Sequence, residues 1–443
     1  MTQILIARLA TYSAVLFTLC FQPARADVAA VPEAQSAIPG RMDLLLRTYA
    51  EELHYIGGGR RHAVIQSGRL IYQSDYYSAG SGLKVGVDAG LYGAVRLDGG
   101  SGSRNFARFR FDGTGSGDHG WGYLGEYAVK ARLGQTTIKY GLQPGVDNPF
   151  MPPYDIRALP PTFRGVTAVS TDIPGLKLSA GSFNGVIPRG DDRVRPLSTS
   201  YSGVTFDRIS YAGLETKIRD VKTALYVNQA KDLWNQAYIS AAKQVPVSDD
   251  VLLTGRLDTY FTKATGARLG GDIDNRAASV SLTVQKGASS VLFGYQAISG
   301  DQFYDYTNET AGISLSNAMG VDYNSPHERS GQIRYVFNGD RAGIPGLTLM
   351  AFTVRSHGAN AAAGAAAHSN PADPLHQLYW KSGQAAKGGR NEGAVKATYQ
   401  VQSGALKDMR IAFYIYRTRA DALYPGSSFN DSQLMVNFPV RVF

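Results

Sequence analysis

The chain has little cysteine, little charge and no long apolar run beyond its N-terminus. Cys20 is the only cysteine, 18% of the residues are charged and 11% are aromatic. Beyond residue 26, no uninterrupted apolar run approaches the roughly 20 residues that a helix needs to cross a bilayer. These features exclude a disulfide-stabilised scaffold, a bundle of membrane-spanning helices and, despite a formal net charge of +9, a polybasic disordered chain. The 50 glycines and 26 tyrosines favour a β-rich chain with many turns.

Residues 1–26 have the pattern of a signal peptide. Arg8 precedes an apolar stretch of about 13 residues, and the small-x-small sequence Ala24-Arg25-Ala26 follows it. We expect cleavage before Asp27 and export of residues 27–443, which contain no cysteine. The alternative is an N-terminal membrane anchor, for which the apolar stretch is short.

The main structural signal is an alternation of apolar and polar residues with a period of two. From Leu83 to Leu97 every odd position is apolar or glycine, whereas Lys84, Asp88 and Arg96 occupy even positions. A period of two is that of a β-strand, because a helix repeats every 3.6 residues. Counting such segments predicts strands at 41–56, 66–77, 83–97, 122–132, 135–141, 164–170, 176–183, 205–217, 221–228, 232–243, 250–262, 277–286, 289–298, 329–338, 347–356, 393–402, 408–418 and 431–443.

Tight turns and long loops alternate between these strands. A transmembrane barrel has short periplasmic turns and long outer loops, and its even strand number returns the chain to the side where it began. We therefore predict an all-β fold, a transmembrane antiparallel β-barrel of about 18 strands that forms a single domain over residues 27–443. The interior of a barrel of this size is too wide for its wall side chains to fill, so water enters unless a segment folds in.

The third outer loop, from Leu142 to Phe163, is the expected inward segment. Its prolines exclude a regular strand, and its apolar residues need a sheltered place to pack, which only the lumen offers. We predict a constriction loop with Asp147, Asp155 and Arg157 near the narrowest point. The alternative is a proline-rich outer loop that packs on its neighbours.

Several segments resemble OprD-type outer-membrane porins. The matching segments, in chain order, are 139–141, Pro149, 155–160, 162–165, 173–184, 324–330, 344–348 and 402–408. The resemblance spans most of residues 27–443. It implies an 18-stranded channel of proteobacteria, monomeric or trimeric, in the outer membrane and selective for small carboxylate-bearing nutrients. The loops from Ser356 to Arg390 and from Gly99 to Gly120 depart from the family pattern, so the resemblance makes no prediction about access to the pore from the outside.

Two groups of candidate site residues follow. The constriction group consists of Asp147, Asp155, Arg157 and Arg164. A lumenal basic row, assigned by strand parity, consists of Lys84, Arg96, Lys139, Lys222, Arg256, Arg334, Lys396 and Arg410. A row of cations concentrates anions and lets them move between weak sites. Alternatively, some of these residues are rim charges that bind lipid headgroups or lipopolysaccharide phosphates.

Within these groups, Arg157 is the best candidate for a carboxylate contact, because a planar guanidinium binds a carboxylate through two hydrogen bonds. Asp88 and Asp258, on the same face as the basic row, would neutralise neighbouring cations or bind a substrate ammonium group.

The predicted function is that of a substrate-selective outer-membrane porin for passive uptake of small water-soluble nutrients, such as amino acids or organic and aromatic acids. Expected partners are small anionic or zwitterionic solutes, outer-membrane lipid and lipopolysaccharide, with a homotrimer left open. No cofactor or metal site is predicted, since the seven histidines show no zinc-site spacing. Nucleic acid is not expected, because no basic helix or aromatic stacking platform accompanies the positive charge.

Two alternatives remain open. A barrel enzyme, for example a lipase, would need a serine and a histidine within hydrogen-bond reach on one rim. A secreted β-sandwich binding protein would bury its apolar strand faces in pairs.

Overall fold

The computed structural model describes residues 39–99 and 119–443. The predicted signal peptide, residues 1–26, and nearly all of the glycine-rich loop from Gly99 to Gly120 lie outside the described residues. In the described part, eighteen strands form a closed antiparallel barrel in which each strand pairs with the next and β18 pairs with β1.

The barrel strands are β1 (Gly40–Tyr55), β2 (Arg60–Ser74), β3 (Leu83–Gly99), β4 (Gly120–Leu133), β5 (Thr136–Gln143), β6 (Thr162–Ser170), β7 (Leu176–Ile187), β8 (Ile209–Ile218), β9 (Val221–Ala230), β10 (Trp234–Ser248), β11 (Val251–Ala264), β12 (Asp274–Lys286), β13 (Ser289–Ser299), β14 (Arg329–Asn338), β15 (Leu347–His357), β16 (Arg390–Gln400), β17 (Arg410–Ala420) and β18 (Phe429–Arg441).

All eighteen predicted strands are present, and their ends differ from the prediction by a few residues. The largest difference is at β2, which begins at Arg60 rather than at residue 66. Its first residues pair with β1 up to His54, so the β1–β2 hairpin extends beyond the segment where the apolar alternation is visible. This boundary is set by pairing with the neighbouring strand, and the local sequence pattern carries no information about that pairing.

The two faces of the sheet differ as the alternation predicts. On β3, Val87, Leu91 and Val95 are exposed on the outer face, whereas Asp88 and Tyr92 between them are buried on the inner face. Large apolar side chains on an exposed face are stable where hydrocarbon replaces water. The closed sheet also leaves no unpaired strand edge, which a lipid environment requires.

The connections differ between the two ends of the barrel. The end that carries Gly40 and Phe443 has only short turns, which is typical of a periplasmic end. Within residues 39–99 and 119–443, the longest outer connections are named loop 3 (144–161), loop 4 (188–208), loop 7 (300–328) and loop 8 (358–389). The outer connections 56–59 and 231–233 are short as well, so turns and long loops alternate less strictly than the sequence suggests.

In the part of the chain that the structure describes, helical structure is confined to short segments. Loop 8 contains the helices α1 (Ala362–Ala367) and α2 (His376–Tyr379), and a 3₁₀ helix covers Gly339–Ala342. Loop 8 has a small apolar core in which Tyr379 packs edge-on against Phe303 of loop 7. Over residues 39–99 and 119–443, no helix is long and apolar enough to cross a membrane.

Candidate functional site: the narrowed lumen

Loop 3 crosses the inside of the barrel. Near its start, Phe150 and Met151 are buried in an apolar cluster with residues from β6 to β13. Near its end, Ala158 and Leu159 are buried in a second cluster, with residues from β1 to β4, β17 and β18. Because the two clusters lie on different parts of the wall, the segment between them spans the lumen. This confirms that loop 3 folds inward and excludes packing on the outer loops alone.

Asp155 anchors loop 3 to the wall. It accepts hydrogen bonds from Arg47 of β1 and, at 2.8 Å, from Arg69 of β2. Arg47 is buried and also donates to the carbonyl oxygen of Arg157 at 2.7 Å. Burial alone would raise the pKa of Asp155, but Arg69 and Arg47 outweigh it and lower the pKa. Asp155 therefore remains ionised between two guanidinium groups.

Arg157 contacts an acidic patch on the neighbouring wall. Its Nη1 donates to the hydroxyl of Tyr49 at 2.7 Å and lies 3.2 Å from Oε1 of Glu51. Gln433 bridges two carboxylates, since its Nε2 donates to Glu51 at 3.3 Å and to Asp431 at 2.7 Å. A solute carboxylate that binds Arg157 would therefore compete with Glu51.

The other two residues of the constriction group lie elsewhere. Asp147 is exposed and lines a lumenal cavity of about 620 Å³ together with Lys222 and Arg256. Arg164 does not line the constriction, because it alternates with the inward-packed Phe163 and donates to Asn184 at 2.9 Å. The structure brings Asp155 and Arg157 together and leaves Asp147 and Arg164 apart from them.

The strand alternation places the eight residues of the basic row on the inward faces of their strands. These residues are Lys84, Arg96, Lys139, Lys222, Arg256, Arg334, Lys396 and Arg410. Asp88 forms an ion pair with Lys139 of the row at 2.5 Å and another with Lys130, which is not in the row, at 2.8 Å. Asp258 pairs with Arg256 at 2.7 Å. Of the two roles expected for these aspartates, the structure contains the neutralising one.

Loop 7 also folds into the lumen, which sequence reasoning missed. The amide of Ala311 donates to the carbonyl oxygen of Pro152 in loop 3 at 3.1 Å. Farther along, the amide of Gly320 donates to Glu392 of β16 at 2.9 Å. The sequence did contain an indication of this. The loop carries several large apolar residues that, like those of loop 3, must be buried away from water: Ile313, Leu315, Met319, Val321 and Tyr323. Among the described residues, loop 7 therefore narrows the barrel together with loop 3.

Buried polar contacts tie loop 7 to loop 4. Asp305 accepts hydrogen bonds from the amides of Tyr201 at 3.0 Å and Ser202 at 2.9 Å. Burial raises the pKa of Asp305 despite these donors. Arg189 and Glu309 form a buried ion pair at 2.6 Å between the same two loops. Such pairs constrain geometry because an unpaired partner left behind would be costly.

Arg390 and Glu392, two residues apart on the inward face of β16, hold the later part of loop 7. Arg390 lies 5.2 Å from the ring centroid of Tyr323 and donates to the carbonyl oxygen of Asp322. Glu392 accepts from the amide of Gly320 and from the hydroxyl of Tyr323 at 3.2 Å. We name these two residues the β16 clamp.

The wall residues that bind loop 3 were also missed. Arg47, Tyr49 and Glu51 alternate along β1, so the predicted strand 41–56 already placed them on one face. Their partners in loop 3 were not visible from that pattern. Among residues 39–99 and 119–443, no group of three or more histidine, cysteine or acidic side chains is arranged to hold a metal ion.

A closed barrel with an apolar exterior, and a lumen narrowed by inward loops, defines the architecture of an outer-membrane porin. The sequence profile described as "outer membrane porin, OprD family" matches residues 40–442. The chain belongs to the OprD family and lies in the bacterial outer membrane. Members of this family are porins, which are channels rather than enzymes.

Individual relatives agree with this assignment. The chain is 29% identical to porin-like protein GalP of Pseudomonas putida over 411 residues, which cover 91% of this chain and 92% of the relative. It is 29% identical to Porin D of Pseudomonas aeruginosa over 436 residues, covering 95% and 96%. The crystal structure of Pseudomonas aeruginosa OpdK with vanillate matches with a TM-score of 0.78 and 26% identity, covering 91% of this chain and 98% of that one.

Proposed function

We propose that this porin is selective for small carboxylate-bearing solutes, taken up passively through a lumen lined by basic residues. The observation that carries the proposal is the position of Arg157, which loop 3 holds inside the barrel next to Tyr49 and Glu51. The Arg157 side chain is 18% exposed, and a guanidinium that is mostly withdrawn from bulk water is suited to a carboxylate because it offers two parallel hydrogen bonds.

The surroundings of Arg157 support both anionic and zwitterionic solutes. The inward-facing basic row would draw an anion along the wall through contacts weak enough to release it. The carboxylates of Glu51 and Asp431, bridged by Gln433, would offer a contact to an ammonium group on the same solute. OpdK was solved with vanillate, the anion of an aromatic acid, so an aromatic acid belongs in the panel of solutes to be tested.

Planar-bilayer recording of the purified protein, with a panel of amino acids and of organic and aromatic acids, tests the proposal. We expect single channels whose current is reduced by permeating carboxylates at millimolar concentrations. Arg157→Gln should weaken this block about tenfold or more, because a charge-assisted bidentate contact is worth roughly 1.5–3 kcal/mol.

The matched control is Arg268→Gln, which removes an arginine from an exposed ion pair with Asp272 on the outer connection 265–273. Carboxylate block should be unchanged in this variant. Equal block of the wild type by a carboxylate and by its uncharged amide would contradict carboxylate selectivity.

Export by a cleaved signal peptide belongs to the same proposal. We expect the mature protein to begin at Asp27 and to consist of one barrel domain, residues 27–443. Intact mass measurement of protein purified from outer membranes tests the cleavage site. The native mass of the same sample distinguishes a monomer from a homotrimer.

A further inference from the structure

Three arginines form a diagonal row on the outer face of the barrel, near its extracellular end. They are Arg329 on β14, Arg355 on β15 and Arg417 on β17. Arg355 is the cross-strand partner of Gly331, two residues from Arg329, and also of Asn391 on β16. Arg417 pairs with Gly393, two residues from Asn391. With paired strands about 4.8 Å apart and about 3.4 Å per residue along a strand, Arg329 lies roughly 8 Å from Arg355 and Arg355 roughly 12 Å from Arg417. We name this diagonal row the outer arginine patch.

The patch faces away from the lumen. Its arginines alternate with Ser330, Val354 and Thr418, each of which is buried on the inward face. All three arginines are exposed. They are therefore available to a ligand that approaches the barrel from the membrane rather than through the pore.

No anionic side chain neutralises the patch. Within residues 39–99 and 119–443, Arg329, Arg355 and Arg417 form neither an ion pair nor a side-chain hydrogen bond, whereas the nearby Arg419 donates to Asn430 at 3.0 Å. Like charges on adjacent strands repel one another, and this repulsion is least screened where water is scarce. An external anion would relieve it.

The patch lies where the apolar band ends. Ile333, an exposed apolar residue of the outer face, is only four residues along β14 from Arg329. Ile415 is two residues along β17 from Arg417 on the same face, a separation of about 6–7 Å. This depth corresponds to the headgroup layer, where a phosphate can contact the arginines while its acyl chains cover the apolar residues below.

On the other side of the barrel, the outward cations near this end have side-chain partners, since Lys263 of β11 lies 3.9 Å from Asp274 and Arg164 of β6 donates to Asn184 at 2.9 Å. There Ser182, Ser210, Gln229 and Asn235 follow one another across paired strands β7 to β10 on the outer face. These side chains are polar and uncharged. The outer arginine patch differs from the cations of β6 and β11 because, among the described residues, its arginines have no acidic or hydrogen-bonding side-chain partner.

We propose that the outer arginine patch binds a phosphorylated lipid headgroup of the outer leaflet, the phosphates of lipopolysaccharide being the ligand. A guanidinium group binds a phosphate through two hydrogen bonds. Because the three arginines are carried by a rigid sheet, binding costs little backbone entropy. This site is separate from the pore and does not depend on which solute passes through it.

The test is the binding of bisphosphorylated lipid A to the folded protein in detergent, measured by native mass spectrometry as a titration. The triple variant Arg329→Gln, Arg355→Gln, Arg417→Gln should bind at least about tenfold more weakly, because each basic residue near an anionic surface contributes to binding. The corresponding triple lysine variant should retain most of the affinity. Dephosphorylated lipid A should bind the wild type and the glutamine variant alike.

The control is the variant Arg193→Gln, Arg219→Gln, Arg268→Gln, which removes the same charge from exposed positions away from the patch. If both triple variants lost lipid A binding equally, the loss would be due to the change in net charge and not to the patch, and the proposal would be overturned. Competition by inorganic phosphate at the same concentration as lipid A would overturn the lipid assignment. A change in oligomeric state with unchanged lipid A binding would show that the patch is instead a contact between protein chains.

Discussion

Asp155 joins the middle of loop 3 to two arginines of the barrel wall. Replacing it by alanine would leave Arg47, which is buried, and Arg69 without their carboxylate. Arg47 is buried but 36% of the Asp155 side chain is exposed, so the loss should cost less than the about 3–5 kcal/mol of a fully buried pair and should loosen residues 154–156 from β1 and β2. We expect a larger single-channel conductance in planar bilayers for Asp155→Ala. Asp272→Ala, which breaks an exposed pair with Arg268, should leave conductance unchanged, and equal effects of the two changes would contradict this role.

The same residue predicts a pH dependence with a definite sign. The pKa of Asp155 is lowered because Arg69 and Arg47 outweigh the effect of burial. A carboxyl group with a lowered pKa contributes its stabilisation fully above its ordinary pKa of about 3.9 and loses it as the pH falls below that value. The conductance difference between wild type and Asp155→Asn should therefore persist from pH 7 to about pH 4 and shrink only below it. A difference that vanishes by pH 6 would contradict this anchor.

At the scale of structural elements, the β16 clamp decides whether loop 7 stays inside the barrel. Arg390→Met removes the hydrogen bond to Asp322, and Glu392→Ala removes the acceptor of two hydrogen bonds. Each change should give a wider and noisier channel, because both release residues 320–323. Glu392→Gln should lie closer to wild type, since an amide oxygen still accepts from the amide of Gly320.

Asn391, between the two clamp residues, supplies the matched control for this prediction. Its side chain is exposed on the outer face of the same strand, so Asn391→Ala should leave the conductance unchanged. Heat-dependent migration in gels would verify that every variant has a folded barrel. A folded Arg390→Met, Glu392→Ala double variant with wild-type conductance would refute the clamp.

These elements differ in how far the sequence could predict them. The strands followed from alternation, because each residue of a spanning strand faces either lipid or lumen. Loop 3 followed from its prolines and apolar residues, which left the lumen as the place to pack. The contacts of loop 7 could not follow, because Ala311 meets Pro152 and Gly320 meets Glu392 across long sequence separations. Arg164 was misplaced because the inward packing of Phe163 sets the parity at the start of β6.

For the whole molecule, the cations of the lumen set a field whose reach depends on salt. The Debye length is about 10 Å at 0.1 M salt and about 3 Å at 1 M, so wall charges act across a wide lumen only in dilute salt. Several of the cations are also neutralised locally, as Lys139 is by Asp88 and Arg256 by Asp258. The residual field should therefore be modest and its effect on ion selectivity strongly dependent on ionic strength.

Reversal potentials under a potassium chloride gradient test this expectation. The ratio of anion to cation permeability should exceed 1 at 0.1 M salt and approach 1 at 1 M, because counterions then screen the basic row. Block by carboxylates that touch Arg157 should decline less over the same range, since contacts mostly withdrawn from bulk water are screened little. Cation selectivity in dilute salt would mean that Glu51, Asp431 and Glu392 dominate the passage, and the basic row would then not be what attracts the solute.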